Sequence, residues 1–180
     1  MFSATDQFDP MEMSLFMRRP DIYWPTSYSM APPPEAMDFV EHMLKPFTWT
    51  VAAMWAGEII GYVQLLQRTS IMAEVTVSFH PQARGRIART FFEYTMGRAF
   101  TERGLLKLTA SIPSDNRRAI IAAYVMHFKL EGRLTGAIVR DCGICDLLLF
   151  GLNRDNVSPL SSVLNGSDHG SSNSPSPRHG

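Results

Sequence analysis

The chemistry that this sequence indicates most directly is phosphate binding, at a basic turn around Gly85. Apolar and polar residues alternate from Met72 to Phe79, which is typical of a half-buried strand, and Pro81 ends the run. After Gly85 the apolar residues return at helical spacing. A helix that begins at such a turn directs free N–H groups and the positive end of its dipole at one point, which favours an anion. Strand–turn–helix units without a phosphate are also common in α/β proteins, so this turn has a purely structural alternative.

Other residues capable of chemistry form no comparable pattern. Cys142 and Cys145 have the CxxC spacing, but no second Cys or His pair follows at the spacing of a zinc site. We therefore expect these cysteines to have a structural role in a hairpin turn. The five histidines are scattered and define no set of ligands. The sequence predicts no bound metal.

Length and composition are those of an ordinary globular chain. The 180 residues suffice for one domain with a continuous core, and 45% of them are hydrophobic and 19% charged. The formal net charge is zero, so we expect no nucleic-acid partner. No apolar run reaches the ~20 residues of a membrane span, so no membrane contact is expected. The N-terminus lacks a signal-peptide pattern and there are only two cysteines, which favours the cytoplasm.

The hydrophobic periodicity predicts an α/β fold (α+β, mixed sheet) with helices on both faces. The predicted elements are, in order, a strand at Glu12–Met17, a helix at Glu35–Lys45, strands at Thr48–Trp55, Glu58–Gln67 and Met72–His80, a helix at Arg86–Arg103, a strand at Lys107–Ile112, a helix at Asn116–Lys129, and strands at Leu130–Arg140 and Asp146–Leu152. Ala56 and Gly57 indicate a tight hairpin. The helix after Gly85 makes a crossover between parallel strands.

Three segments are expected along the chain. They are an irregular N-terminal segment at 1–31, a folded domain at 32–155 and a tail at 156–180. The tail is rich in Ser, Gly, Pro and Asn and has little apolar surface to bury. We therefore expect it to be disordered in isolation and to be ordered only by a protein assembly partner.

Five motifs follow one another along the chain. They are the hairpin Met54–Tyr62 with Ile60-Gly61, Glu74 seven residues before Pro81 with the turn Gln82–Ala88, the pair Asn116 and Tyr124, Glu131–Leu134, and Asp146–Leu152. In this order they resemble the GNAT superfamily of N-acetyltransferases, most closely its ribosomal-protein and polyamine acetyltransferase branch. The resemblance covers about residues 48–153 and implies a GNAT-like fold. In that fold a central, mostly antiparallel sheet has one splayed pair of parallel strands.

The resemblance implies that acetyl-CoA binds, as co-substrate, where the two parallel strands separate. The residues that it assigns to the cofactor are Val77, Phe79, Gln82, Ala83, Arg84, Gly85, Arg86, Ile87, Ala88 and Asn116. Backbone N–H groups of the turn, with Arg84 and Arg86, would bind the pyrophosphate. Asn116 would bond the pantetheine arm or a bridging water molecule. Its structural alternative is a helix-start residue.

In such proteins an amine attacks the thioester directly, and the resemblance assigns two residues to the proton transfers. The attacking amine must be neutral, so Glu74 would remove its proton, directly or through a water molecule. Tyr124 would give a proton to the departing thiolate. Structural alternatives exist for both: Glu74 as the solvent-facing member of a strand pair, and Tyr124 as a core residue beside Ile120, Ile121 and Phe128. The acceptor is a primary amine on a protein N-terminus, a lysine or a small molecule.

Two departures from the family pattern bear on the cofactor. Ile87 stands at the position where the family has a second Gly or Ala. A β-branched side chain there crowds a backbone that must approach a pyrophosphate. A shift of one residue would place Ala88 at that position instead. His127-Phe128-Lys129 replace the family's Gly-Phe after the tyrosine, so the helix must end differently. These departures keep a second function open, a non-catalytic structural or interaction protein on the same fold, such as a virion component within a phage particle.

Overall fold

The computed structural model describes residues 2–28, 31–141 and 143–157 of the chain. The strands are β1 (Phe2–Thr5), β2 (Thr48–Trp55), β3 (Glu58–Gln67), β4 (Met72–Phe79), β5 (Lys107–Pro113), β6 (Lys129–Arg140) and β7 (Gly143–Asn153). The helices are α1 (Pro10–Met17), α2 (Pro20–Thr26), α3 (Ala36–Met43), α4 (Arg86–Thr101) and α5 (Arg117–Val125). The predicted strands and helices from residue 35 onward are present, with shifts at their ends.

The strands form one sheet in the order β1-β2-β3-β4-β5-β7-β6. Every neighbouring pair is antiparallel except β4 and β5, which are parallel and joined by α4. The predicted fold class, a mixed sheet with one parallel pair and helices on both faces, is confirmed. The predicted hairpin turn is confirmed as well, since Ala56 and Gly57 both have positive φ, 52° and 88°.

Each face of the sheet is covered by its own set of helices. Side chains alternate between the faces along each strand. On one face, β-strand residues such as Val63 and Val75 pack with Phe91 of α4 and Ala123 of α5; we call this the α4 face. On the other, Ala52 and Tyr62 pack with residues of α1, α2 and α3; we call this the α1 face.

The prediction for the N-terminal segment is wrong. Glu12–Met17, predicted as a strand, belongs to helix α1, and the stretch called irregular contains one strand and two helices. The side chain of Asp9 caps α1 by accepting a hydrogen bond from the Met11 N–H at 2.8 Å. Met13 and Phe16, three residues apart, are buried against the sheet. Helical spacing over so short a stretch is easily taken for strand alternation.

Two boundaries in the C-terminal half differ from the prediction. Helix α5 ends at Val125 rather than at Lys129, because His127 takes a left-handed conformation with φ 65° that no helix can continue. The last hairpin is tighter than predicted, and Cys145, expected in the turn, lies inside β7 and is buried. Cys142 lies outside the described residues.

Within the described part of the chain, no helix combines the length and apolar character needed to cross a membrane. In the same residues, no three His, Cys, Asp or Glu side chains are grouped so that they could hold a metal ion. The residues after β7 form a short 3₁₀ helix, Arg154–Asn156, and Val157 packs against the core on the α4 face. The rest of the tail, 158–180, lies outside the described residues, so its order and its partner stay predictions.

Candidate active site

The centre of the candidate site is a gap in the sheet between β4 and β5. These strands are paired only from Met72 to Glu74 on β4 and from Lys107 to Thr109 on β5. Beyond Glu74 and Thr109 each strand continues with its other neighbour alone, β4 with β3 and β5 with β7. The facing backbone groups therefore have no strand partner, and an extended ligand with amide groups can hydrogen-bond to them as an added strand would.

At the end of β4 lies the turn for which the sequence predicts an anion site. Gly85 has φ 86° and ψ −127°, a conformation open to glycine, and α4 begins at Arg86. The N–H groups of Arg86, Ile87 and Ala88 occupy the first turn of α4, where the helix offers them no acceptor. Gly85 and Arg86 are exposed, and a Cβ at Gly85 would meet nothing within 4 Å. Free donors, a helix dipole and open space together fit a pyrophosphate.

The residues just before Gly85 serve mainly to shape the turn. Ala83 is buried, and the Gln82 N–H donates to the His80 imidazole at 3.4 Å. Arg84 points back along the protein: its Nε donates to the Phe79 carbonyl at 3.2 Å and its Nη2 to the Asp21 carbonyl at 3.3 Å. The guanidinium of Arg84 is thus engaged within the chain rather than directed at the start of α4. Ile87 and Ala88, the departure noted above, are half-buried in the first turn.

Val77 and Phe79 lie on the α4 face but differ in access. Val77 is 36% exposed although it is in the middle of β4, because β5 has already separated from β4 there. Phe79 is buried against Phe91, with ring centroids 5.6 Å apart, and it covers Gly61, where a Cβ would overlap its ring. Only the backbone of Phe79 is therefore available to a ligand, whereas the side chain of Val77 can contact one.

Glu74 lies at the point where the strands separate, on the α1 face. It pairs with Thr109 across β4 and β5 and with Leu66 across β3 and β4. Arg68 donates to Glu74 Oε2 from Nη2 at 2.6 Å and from Nε at 3.2 Å. Both donors use Oε2, so Oε1 remains available to an amine or to a water molecule. The sequence analysis did not identify Arg68. Its position in the β3–β4 turn, close to Glu74 in a hairpin register, could have indicated it.

Tyr124 approaches the same region from the α4 face. Its ring packs edge-to-face on Phe150, with centroids 5.4 Å apart, and the residue is 54% exposed. Phe150 is paired with Ala110 of β5, one residue after the last β4–β5 pair. Through Phe150, Tyr124 lies over β7, beside the first β5 residue that has no partner on β4, and on the opposite face of the sheet from Glu74. The structural alternative for Tyr124 is core packing. The ring of Tyr124 does pack, but about half of the residue is exposed.

Asn116 begins helix α5 and also reaches the N-terminal part of the chain. Its Oδ1 accepts a hydrogen bond from the Ala119 N–H at 3.1 Å, so it is the N-cap of α5. Its Nδ2 donates to the Pro25 carbonyl at 2.9 Å. The structural interpretation of Asn116 as a helix-start residue therefore holds, and a role with the cofactor stays a prediction.

Tyr28 is a residue of the site that the sequence reasoning missed. Its hydroxyl donates to the Ser111 carbonyl of β5 at 2.8 Å, beyond the last β4–β5 pair. Burial, and next the carboxylate of Glu74, raise the pKa of Tyr28 to about 12. No motif marks Tyr28, since it belongs to a stretch without periodicity.

The assembled geometry can bring two reactants together through the sheet. The turn at Gly85, Val77 and Tyr124 lie on the α4 face, and Glu74 and Tyr28 on the α1 face. A phosphate-bearing ligand held on the first face can extend an arm into the gap, where a second molecule from the other face meets it. Each reactant then has its own entrance.

No protein-family model and no curated protein sequence matches this chain. Its structure is similar to an N-acetyltransferase from Staphylococcus aureus Mu50, with a TM-score of 0.71 and 18% identity over 85% of this chain and 98% of that one. It is similar to the spermidine N-acetyltransferase from Vibrio cholerae in complex with CoA and spermine, with a TM-score of 0.74 and 16% identity over 87% and 97% of the two chains. The acetyltransferase-like YncA from Salmonella typhimurium, solved with its cofactor acetyl-CoA, has a TM-score of 0.70 and 14% identity over 85% and 94%.

Proposed function

We propose that this chain, which has the fold of the GNAT N-acetyltransferases, transfers an acetyl group from acetyl-CoA to a primary amine. The observation that carries the proposal is the gap between β4 and β5, with free N–H groups at the start of α4 on one face and Glu74 on the other. A fold by itself does not define an activity. The gap, the anion site and a carboxylate at one position of the sheet are what this reaction needs.

On the cofactor side, the first turn of α4 holds the pyrophosphate through the N–H groups of Arg86, Ile87 and Ala88. Arg86 adds a positive charge there. The exposed backbone edge of β4 beyond Glu74 aligns the pantetheine arm along the gap, and Val77 packs against it. Acetyl-CoA supplies the activated acetyl group, and every proton transfer is left to residues of this chain.

On the acceptor side, Glu74 takes a proton from the ammonium group through Oε1, directly or through a water molecule, while Arg68 holds Oε2. The neutral amine nitrogen forms a bond to the thioester carbonyl carbon, the carbon–sulfur bond breaks, and the nitrogen, now that of an amide, loses its second proton to solvent. Tyr124 gives its phenolic proton to the departing sulfur and takes a proton back from solvent. Because the two groups lie on opposite faces of the sheet, the base meets the amine and the acid meets the sulfur.

The acceptor that the comparisons favour is a small-molecule amine, since the Vibrio cholerae relative was solved with spermine. Of the three kinds of acceptor that the sequence leaves open, we therefore favour the small molecule. This choice agrees with the polyamine acetyltransferase branch, which the sequence resembles. The alternative from the sequence, a non-catalytic role such as that of a virion component, has no support from the structures that this chain resembles. It predicts no binding of acetyl-CoA, so one measurement separates the two functions.

The test is thermal unfolding with and without acetyl-CoA. Ligand at about one hundred times its Kd stabilises a protein by about 2.7 kcal/mol, which for a chain of this length raises Tm by about 5–10 °C. Gly85→Ala should remove this shift, because a Cβ forces the turn out of its positive-φ conformation.

The matched control is Gly57→Ala. Gly57 has φ 88° against 86° for Gly85, and neither would place a Cβ against other atoms. Both changes should cost about 1–3 kcal/mol of stability from backbone strain, but Gly57→Ala should keep the acetyl-CoA shift. If millimolar acetyl-CoA leaves the Tm of the parent chain unchanged, the proposed function is wrong.

A further inference from the structure

Strand β6 lies at one edge of the sheet, and its outer side is open. It has 12 residues, and its inner side pairs with β7. Among the described residues no strand pairs with its outer side, because β6 comes last in the strand order. The strand at the other edge, β1, has only 4 residues. The backbone N–H and C=O groups along an open edge are a template to which a further strand can be added.

Large apolar side chains are exposed at both ends of β6. Near its start, Leu130 is 48% exposed, although it pairs with the buried Phe150 of β7. Near its end, Val139 is 58% exposed, and Ile144 of β7, with which it pairs, is exposed as well. Monomeric proteins commonly protect an open edge with charged side chains. Exposed apolar side chains beside such an edge are instead typical of an interaction surface.

The charged side chains of β6 are mostly engaged within their own chain and do not protect the edge. Three of the four charged residues of β6 form ion pairs with neighbouring segments: Glu131 with Lys107, Arg133 with Asp146, and Arg140 with Asp115. The fourth, Lys129, stands at the first position of the strand. Charges that are already compensated do not repel an identical edge, and they give a charged partner little to recognise. This favours an apolar partner that also offers a strand edge.

We propose that the partner is a second copy of this chain, and that the β6 strands of the two copies pair antiparallel about a two-fold axis. Such an axis brings the start of one β6 to the end of the other, so Leu130 of each copy meets Val139 of the other. Apolar side chains then meet at both ends of the contact, which makes the edge complementary to itself. Strands β5 and β7 separate this interface from the gap between β4 and β5, so the proposal goes beyond the proposed function and does not depend on it.

The size of the edge indicates how tightly two copies can bind. Two irregularities interrupt β6, and 8 of its 12 residues pair with β7, a length of about 26 Å. The sheet and the helix layer beside it are together about 20 Å high. An interface of this outline buries about 500 Å² per copy, or about 1,000 Å² in total, which is the lower limit for a specific interface. We therefore expect a reversible dimer with a Kd on the order of 10–100 μM.

The first measurement is the molar mass of the full chain in solution, by sedimentation equilibrium from about 1 μM to about 500 μM, a range that brackets this Kd. The mass should rise from 20.2 kDa towards twice that value. A mass that stays at that of the monomer over the whole range overturns the proposal. A mass that continues to rise beyond the dimer also overturns it, because a two-fold contact closes on itself.

Two charged variants and their combination test which surfaces meet. Leu130→Glu and Val139→Lys each place a charge against an apolar side chain of the other copy, at two symmetric contacts, and each should weaken the dimer at least about 10-fold. The double variant places opposite charges against each other at both contacts, so it should dimerise more tightly than either single variant. Val139→Lys serves alone if Leu130→Glu does not fold.

The control is Leu44→Glu, because Leu44 is 68% exposed but follows α3, which packs on β2 far from β6. This variant should dimerise as the parent does. Single variants as tight as the parent, or a control as weak as they are, would place the interface elsewhere and overturn the proposal. A double variant no tighter than the single variants overturns the antiparallel arrangement.

Hydrogen exchange of peptides covering Lys129–Arg140 is the second readout. Pairing of the two edges should slow exchange of the β6 amides as the concentration of the chain rises, because their N–H groups gain acceptors. Exchange in β6 that does not change with concentration, although the mass shows a dimer, means that the copies meet through another surface and contradicts the proposal.

Discussion

At the scale of single residues, neighbouring residues contact only part of each side chain in the candidate site and leave the rest accessible. Arg68 binds one oxygen of Glu74 and leaves the other accessible, as the proposed role of Glu74 as a proton acceptor requires. Tyr124 packs its ring on Phe150 and is still half-exposed, so packing and proton donation are compatible in one side chain. The structural and chemical interpretations of these residues are therefore not exclusive.

Tyr124→Phe tests the acid role with little structural change. The ring contact with Phe150 is retained and only the hydroxyl is lost, so stability should change by less than about 0.5 kcal/mol. Loss of a general acid should lower kcat about 10²–10⁴-fold, measured with acetyl-CoA and an amine that the parent acetylates. Tyr94→Phe is the control, because Tyr94 is similarly exposed, 51% against 54%, but lies on α4. Full activity in Tyr124→Phe would make Tyr124 a packing residue alone.

At the scale of elements, the end of α5 shows how the chain replaces a missing glycine. The Phe128 N–H bonds to the Ala123 carbonyl at 2.9 Å and the His127 N–H to the Tyr124 carbonyl at 3.0 Å, which closes the helix in a Schellman-like turn. His127 occupies the left-handed position at φ 65°. Histidine adopts this conformation at an energetic cost. The turn that it forms ends the short helix α5 and keeps Tyr124 in its last turn.

His127→Gly should therefore stabilise the protein. Removing the Cβ relieves about 1–2 kcal/mol of left-handed strain, and part of this gain is offset by the entropy of glycine in the unfolded chain. We expect a net gain of about 0.5–1 kcal/mol, or about 1–4 °C in Tm, by thermal or denaturant unfolding. Ala122→Gly, in the middle of the same helix, should instead cost about 1 kcal/mol. A lower Tm for His127→Gly would mean that the imidazole makes a stabilising contact.

At the scale of the whole molecule, two separate cores pack on the opposite faces of one sheet. The core on the α1 face is built from the N-terminal helices and surrounds Tyr62, which is buried in it. Helix α2 belongs to this core, and two residues after its end the Tyr28 hydroxyl donates to the Ser111 carbonyl of β5. In the proposed function, the cofactor and the acceptor bind on opposite faces of the sheet, which are covered by different parts of the chain.

Tyr62 and Tyr28 both make the free energy of unfolding depend on pH in the alkaline range. Burial raises the pKa of Tyr62 well above its usual value of 10, against the smaller effect of a hydrogen bond with Thr26, and raises that of Tyr28 to about 12. The folded state holds these protons more tightly than the unfolded chain. The free energy of unfolding is therefore unaffected below pH 10 and falls as the pH rises above 10.

The measurement is denaturant unfolding between pH 8 and 11. Tyr62 should contribute a loss of up to about 1.4 kcal/mol per pH unit above 10. Tyr62→Phe should flatten the profile there and lower neutral-pH stability by about 1 kcal/mol through the lost hydrogen bond. Tyr28→Phe should flatten it less, because Tyr28 is the more exposed of the two. An unchanged profile in Tyr62→Phe would show that other groups unfold the chain at high pH.

The sequence by itself determined the elements from residue 35 onward, the hairpin at Ala56 and Gly57, and the place of the parallel crossover. These follow from periodicity and turn chemistry, which act between residues that are close along the chain. The start of α4 after Gly85 was predictable for the same reason. The strand predicted at Glu12–Met17 was wrong, since a short apolar stretch takes its conformation from what it packs against.

Only the tertiary structure decided where β4 and β5 separate, which oxygen of Glu74 stays free, and which side chains bind the segment Asp21–Tyr28. The Arg140 bonds to Trp24 and Ser27 join residues more than 110 positions apart, and no local pattern records such a contact. Tyr28 and Arg68 become site residues through position alone. Their partners are main-chain carbonyls and a carboxylate that only the assembled sheet brings within reach.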